Sequence, residues 1–312
     1  MPKEKKIVVT GATGLIGRRL CNRLIAQGWH LVVFTRKPDK ACEVLPGAAE
    51  YVAWTPGELG DWAKALEGAR AVVHLAGAPI SAGLVGPRWT AEYKALIRDS
   101  RIEGTRSLVA GLAEVKQRPQ VLVSASGAGY YGHRDDTPLA ENAAPGDDFL
   151  AQVCIDWEHE ARRAEELGIR TVCTRNGLVL DPDEGVLPQI MLPFRFFSGG
   201  PVYPGTQWYS WIHPVDEIGI IVMALENEQA AGPINATAPN PVTSREFSAI
   251  LGKVLGSPSW LPVPEFAIHT VLGEMADLIT TGQRVWPRKA QDLGYEFRFP
   301  ELEPALRNLL KR

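Results

Sequence analysis

A chain of 312 residues with 45% apolar side chains is long enough for one large core with a smaller lobe attached. Its formal charge of −3, from 33 Lys and Arg against 36 Asp and Glu, supplies no basic stripe, which argues against a nucleic-acid partner. The short run Ile7–Val9 that precedes the first glycine turn is too brief for a secretory h-region. No run approaches the roughly 18 to 20 apolar residues that cross a bilayer, so no membrane partner is expected. Cys21, Cys42, Cys154 and Cys173 show neither C-x-x-C nor Cys/His ligand spacing. No metal site is expected, and a reducing cytoplasm fits best.

From Lys6 to about Cys173, short apolar runs alternate with longer amphipathic ones, the rhythm of parallel strands joined by crossover helices. The pattern predicts strands at Ile7–Thr10, Leu31–Thr35, Glu50–Trp54, Ala71–Leu75, Val121–Ser124 and Arg170–Thr174. Helices are predicted over Leu15–Gln27, Trp89–Val115 and Phe149–Leu167. These elements make a doubly wound α/β domain over residues 1–175. After Arg175 the rhythm breaks, and proline-rich loops alternate with helices predicted at Val215–Glu226, Ser244–Leu255 and Glu265–Ile279. Residues 176–312 are read as a smaller mixed lobe for the substrate, interleaved with the first domain.

The strand Ile7–Thr10 runs into Gly11-Ala12-Thr13-Gly14-Leu15-Ile16-Gly17 and then into a helix with Leu20, Leu24 and Ile25 on one stripe. In that context Gly11 permits a tight turn, Gly14 lets the backbone approach a pyrophosphate, and Gly17 lets the helix lie close to the sheet. Thr13, Leu15 and Ile16 complete a helix start whose free amides and partial positive charge face phosphates. The second strand ends in Thr35-Arg36-Lys37, not in the acid that would hold the ribose 2′-OH of NAD. A cation pair there suits a 2′-phosphate, so NADP(H) is the expected cofactor. Alternatively, Asp39 compensates both cations and the strand end is merely solvated. Leu75, Ala76 and Gly77, at the end of a central strand, are expected to line the nicotinamide-side ribose. His74 beside them is read as a packed strand histidine.

The segments TGATGLIG, LAG and S-W-I-H-x-x-D resemble the extended short-chain dehydrogenase/reductase superfamily, which includes the nucleotide-sugar epimerases. Ser124 to Gly132, Asp148-Phe149-Leu150, Trp157-Glu158, Arg175 to Leu180, Leu192-Pro193-Phe194, Gly199-Gly200-Pro201 and Ser210 to His213 look like its atypical "epimerase family" branch, over essentially the whole chain. The resemblance implies a Rossmann-type doubly wound parallel sheet, a smaller mixed α/β C-terminal lobe, and NADP binding. It also implies a cofactor contact from Arg101, where extended members usually carry Asn. Gln283 to Pro287 and Leu293 to Phe297 are similar to that branch's terminal segment of unassigned role. Long helices pair between subunits in many relatives, and by that analogy alone a homodimer is open.

Members with oxidoreductase chemistry use a Tyr whose phenolate exchanges a proton, with a Lys four residues later that lowers its pKa. Leu150 and Cys154 stand at those positions here, and no lysine occurs between Lys116 and Lys253. The ordinary mechanism is therefore excluded. Cys154 shares a helical stripe with Leu150, Val153, Trp157 and Ala161, so it is either core packing or a thiol acid or nucleophile that needs a nearby cation. Ser126 is the best-placed hydroxyl to hold a substrate oxygen and Tyr131 the best-placed acid, unless the first caps a turn and the second packs. Arg175 and His213 are candidates for substrate contact. The plainer expectations are an ion pair for Arg175 and helix capping by Asp216. Two functions stay open: an NADP(H)-dependent oxidoreductase or epimerase-like enzyme on a small oxygenated substrate, or a non-catalytic NADP-binding regulatory or scaffold protein. Relatives of this branch labelled cell-division inhibitors favour the second.

Overall fold

The computed structural model describes residues 5–80 and 89–312. The first half of the chain supplies β1 (Lys6–Thr10), α1 (Leu15–Ala26), β2 (His30–Thr35), α2 (Pro38–Val44), β3 (Glu50–Ala53), β4 (Ala71–His74), α3 (Ala91–Glu114), β5 (Val121–Gly127), α4 (Phe149–Arg162) and β6 (Arg170–Asn176). The second supplies β7 (Leu178–Val179), α5 (Leu187–Arg195), β8 (Trp208–Tyr209), β9 (Trp211–Ile212), α6 (Pro214–Glu226), β10 (Gly232–Ala236), β11 (Val242–Thr243), α7 (Ser244–Leu255), α8 (Glu265–Leu272), α9 (Asp277–Thr280), α10 (Arg288–Asp292) and α11 (Leu302–Leu310).

Seven strands form one parallel sheet in the order β10-β6-β5-β4-β1-β2-β3. Valine-rich runs build its centre because a strand covered on both faces needs apolar side chains at every position. Ile7 and Val9 of β1 face α1 and α6, packing with Leu20, Leu24, Ile220 and Ile221. Val8 points the other way and packs with Leu108 and Leu112 of α3. Thr10 lies opposite Phe34 on one side and His74 on the other, so these strands end level with one another. Strand order reverses between β1 and β4, which opens a crevice at the carboxyl edge, where such sheets take ligands.

The second half of the chain does not stay apart from this sheet. β10 pairs with β6, Ile234 lying opposite Thr174, and α6 packs against α1. A separate core of Trp211, Phe247, Leu251, Phe194 and Leu306 holds the remaining small strands to α5, α7 and α11. The helix expected over Glu265–Ile279 is broken: α8 ends at Gly273, whose φ of +61 cannot continue a right-handed helix, and one tight turn intervenes before α9. Likewise α4 stops at Arg162, and the expected remainder to Leu167 is a 3-10 turn closed by Gly168 at φ +78. Among the described residues no helix is long and apolar enough to cross a membrane.

Candidate nucleotide site and adjoining cleft

The glycine turn between β1 and α1 is fixed by close contacts. Gly11 has φ +67, and a Cβ there would lie 2.6 Å from the carbonyl carbon of Leu75. At Gly17 a Cβ would meet the Gly11 oxygen at 2.2 Å, so only glycine lets α1 start this close to the sheet. Gly14 is the N-cap of α1 and donates its amide to Gly11 O at 3.1 Å, closing the turn. No side chain caps α1, and no acid lies in its first turn, so the positive end of its dipole is uncompensated there. Thr13 accepts a bond from Arg18 Nη1 at 3.0 Å through its carbonyl. The loop is tied to the second half of the chain by ion pairs from Arg18 to Glu184 and from Arg19 to Asp181.

A hydrogen-bond chain sets the end of β4. Thr105 Oγ1 donates to Arg101 O at 2.6 Å and so accepts from His74 Nε2 at 3.0 Å. His74 Nδ1 then accepts from Thr10 Oγ1 at 2.7 Å, and Thr10 Oγ1 accepts from the Ala76 amide at 3.2 Å. Burial, with help from the Arg101 charge, holds the imidazole down to about 3. His74 is thus a neutral strut that positions Leu75, Ala76 and Gly77 over Gly11. At the end of β2, Arg36 and Lys37 are exposed, and neither forms an ion pair with Asp39 or any other acid among the described residues. Thr35 Oγ1 accepts from the Lys37 amide at 3.2 Å. Arg101 is buried in α3 beside Gly77, its guanidinium 5.1 Å from the Trp157 ring centre.

The side chains nominated for catalysis are held differently. Ser126 Oγ donates its proton to Glu158 Oε1 at 2.7 Å. Arg175 grips the same carboxylate with Nε at 2.7 Å and Nη2 at 2.9 Å. Its Nη1 donates to Tyr131 OH at 2.9 Å and to Glu141 O at 3.1 Å, and Tyr131 OH donates to Asn235 Oδ1 at 2.7 Å. The Tyr130 ring stacks on the guanidinium, 3.4 Å from its carbon.

This network bears on four candidate roles, each of which had a plainer alternative. Tyr131 has no exposed surface, both hydrogen-bonding roles of its hydroxyl are taken, and burial pushes the phenol up to about 12, so it is not an acid for a cleft substrate. Ser126 has no second proton to offer a substrate oxygen. Arg175 is a buried ion-pair member, not an anion clamp. Cys154 is buried among the stripe it shares with Val153 and Trp157, and burial followed by the Glu158 charge pushes its thiol up to about 11, the reverse of activation.

Two second-half residues also have roles other than those expected. His213, not Asp216, caps α6: its Nδ1 accepts from the Val215 amide at 3.1 Å, Nε2 bonds Asn308 Oδ1 at 3.2 Å, and the ring stacks on Phe299. It is buried, and both of its ring nitrogens are engaged within the protein. Asp216 instead accepts from the amides of Arg298 and Phe299 and from Tyr295 OH, anchoring the segment after α10. Sequence reasoning singled out Glu158 only as part of a family motif, without its role in this network, and missed Glu141 and Glu217. Glu217 is pushed up to about 8 by complete burial, and once the Asn176 side-chain amide is turned so that its nitrogen faces this carboxyl group, Glu217 Oε1 accepts from it at 3.0 Å; its signal was an acid inside an otherwise apolar helix.

The segment Gln283 to Pro287 laces the two halves together. Gln283 Nε2 donates to Ala128 O at 2.9 Å, directly after β5. Leu139 and Val285 pair as a parallel bridge, and Ser210 Oγ donates to Gln283 O while accepting from the Val285 amide. Asn235 Nδ2 donates to Trp286 O at 2.9 Å. The chain after β5 and the strand β10 are therefore fastened by a segment that lies far beyond them in sequence.

A doubly wound parallel sheet with a glycine turn at the switch point of its strand order defines a Rossmann-type nucleotide-binding class of protein. Residues 7–236 match the NAD dependent epimerase/dehydratase family, and the chain belongs to that family. Residues 263–309 match a domain of unknown function, DUF1731. The chain is 42% identical over 310 residues to the "Epimerase family protein SDR39U1 homolog, chloroplastic" of Arabidopsis thaliana, covering 99% of this chain and 87% of that protein. It is 38% identical to "Epimerase family protein YfhF" of Bacillus subtilis, with 97% of each covered. Among solved structures, the human epimerase family protein SDR39U1 (isoform2), crystallised with NADPH, superposes with a TM-score of 0.86 at 32% identity, covering 98% of this chain and 99% of that one.

Proposed function

We propose that this chain binds NADP(H) along the carboxyl edge of the sheet and acts as an oxidoreductase or epimerase-like enzyme on a small oxygenated substrate. The observation that carries the reading is the pair Arg36 and Lys37, exposed and free of acid partners at the end of β2 beside the Gly11–Gly17 turn. Leu15, Ile16 and Gly17 would turn their amides to the pyrophosphate, with Gly14 and Thr13 leaving the approach clear. Thr35, Arg36 and Lys37 would hold the 2′-phosphate; Leu75, Ala76, Gly77 and Arg101 would border the nicotinamide half. When bound, such a cofactor supplies or accepts a hydride. The side chains at the ends of β5 and α4 offer no phenol–ammonium pair, so the reading requires the substrate oxygen to exchange its proton with water. The NADPH in the human relative's crystal structure supports the cofactor choice. Four unpaired cysteines, three of them buried, suit a reducing compartment such as the cytoplasm.

The saturation of Ser126, Tyr131, Arg175 and His213 by internal partners favours a second reading, an NADP-binding regulatory or scaffold protein without turnover. Calorimetric titration tests the shared core of both. Arg36→Ala is expected to weaken NADPH by about 10- to 100-fold, the loss of a charge-assisted bond, and to leave NADH unchanged. Equal affinities of the natural chain for NADPH and NADH would refute the cofactor assignment. Consumption of NADPH with one member of a panel of carbonyl compounds selects the enzyme over the binder.

A further inference from the structure

The segment Gln283 to Pro287 opens with a half-buried amide side chain whose hydrogen-bonding capacity is only partly used. Gln283 Nε2 donates to Ala128 O at 2.9 Å, and this amide group makes no other hydrogen bond among the described residues. A carbonyl opposite fixes which end of the amide is nitrogen, so Oε1 is the acceptor left over. Gln283 has no buried polar atom without a partner, so this oxygen is open to solvent.

The backbone around the amide is pinned. Gln283 O accepts from Ser210 Oγ at 2.7 Å, and Gly282 O accepts from the Arg134 amide at 3.1 Å. A Cβ at Gly282 would lie 2.1 Å from Trp208 O, so only glycine lets the chain pass there. The amide meets the turn that follows β5, the strand beside β4 in the sheet. The same turn rests on α4: a Cβ at Gly129 would lie 3.4 Å from Leu150 Cβ, and one at Gly127 3.7 Å from Cys154 Sγ. Gln283 therefore brings an unspent acceptor to the turn that also touches Leu150 and Cys154, the two positions where the phenol and ammonium are missing.

The neighbouring surface is apolar, and its charges are answered. Trp89 and Ile279, both half-buried, pack on the apolar cluster built by α8 and the turn after it. The Trp89 ring meets Phe149, the first residue of α4, edge-on at 5.3 Å. Lys94, which lies over both rings, is paired with Glu274. Arg284 is turned to the Trp208 ring and Asp136 O. Such a wall suits an apolar body and supplies no cation for an anionic one.

We infer that Gln283 is a substrate-binding residue whose Oε1 accepts a hydrogen bond from a hydroxyl of the substrate, and that this substrate is a neutral compound with an apolar body. The inference rests on the enzymatic reading above and deepens it with a substrate class. An acceptor of this kind separates a ligand that brings a donor from one of the same shape that does not, because the second leaves the oxygen unpaired.

Benzyl alcohol, benzyl methyl ether and benzoate, titrated into NADP-saturated protein and followed by saturation-transfer NMR, test it. The natural chain is expected to bind the alcohol about fivefold more tightly than the ether, the worth of one neutral hydrogen bond, and to bind benzoate more weakly than the alcohol. Gln283→Met removes the acceptor and should abolish the preference for alcohol over ether. Gln283→Glu removes the donor to Ala128 O but keeps an acceptor, so the preference should persist. A side chain that merely tethers the turn would shift both neutral probes alike in both variants and leave the preference intact. NADPH titration shows whether each variant is folded, and the alcohol–ether comparison in the natural chain stands without either variant. A natural chain that binds NADPH but holds the alcohol no better than the ether, benzoate bound as tightly as the alcohol, or a preference that survives in Gln283→Met, overturns the inference. A natural chain that fails to bind NADPH sinks the nucleotide reading beneath it instead.

Discussion

Arg175 and Arg101 are both buried cations beside α4, and one helical turn separates their fates. Cys154 and Glu158 are four residues apart and share a face. The turn carrying Glu158 neutralises Arg175 bidentately and ties in Ser126 and Tyr131. The turn carrying Cys154 gives Arg101 only a thiol and an aromatic face. The polar groups around Arg175 are thus spent on the protein itself, whereas no acid pairs with Arg101 among the described residues. Residue type alone conveys nothing of this difference; it follows from which acid stands opposite.

Arg175→Met is the strongest challenge to that contrast. It leaves Glu158 buried without its counter-ion, and a loss of about 3–5 kcal/mol is expected in urea unfolding. Replacing Glu158 by Leu in the same chain should restore much of it, because an apolar pair of similar volume needs no compensation. An unchanged unfolding midpoint for the single variant would mean the ion pair is not formed. Tyr131→Phe sharpens the contrast on a smaller scale. Removing the hydroxyl between Arg175 and Asn235 is expected to cost about 1–3 kcal/mol and to leave NADPH affinity as it was; a selective loss of NADPH binding would return Tyr131 to the cleft.

His213→Ala should have the smallest effect, about 0.5–2 kcal/mol for a lost helix cap, with a distinctive pH signature. Burial holds the imidazole down to about 4, whereas the unfolded chain takes up that proton near 6.5. Between those values the unfolded state binds more protons, so stability falls as pH drops from 6.5 towards 4. His213→Ala should show a shallower decline in melting temperature over that window. Parallel curves would show that His213 titrates normally in the fold.

Much of the nucleotide half was legible because its physics is local. A β-branched run, a glycine forced to positive φ at Gly11 and an amphipathic helix with Leu20 and Leu24 each announce themselves within a few residues. β10 was not legible: Gly232-Pro233 and Asn235 look like a loop, and only pairing with β6 makes them a strand. The cap of α6 was assigned to Asp216 instead of His213 for the same reason. An Asp near a helix start ordinarily caps it, yet here the amides of Arg298 and Phe299, some 80 positions on, claim the carboxylate. Likewise, position at a strand end made Ser126, Tyr131 and Arg175 look available, and Glu158 and Asn235, which occupy them, come from elements distant in the chain.

The tether from Gln283 to Ala128 spans 155 positions, and that separation has a consequence for how the protein matures. A ribosome exposes the glycine turn and the first five strands long before it makes the stretch that fastens the loop after β5. For that interval the nascent domain can in principle present its phosphate-binding corner while the neighbouring wall of the cleft is still unfastened. Capture of a nucleotide and final shaping of the pocket are thereby separable events, ordered by translation rather than by affinity.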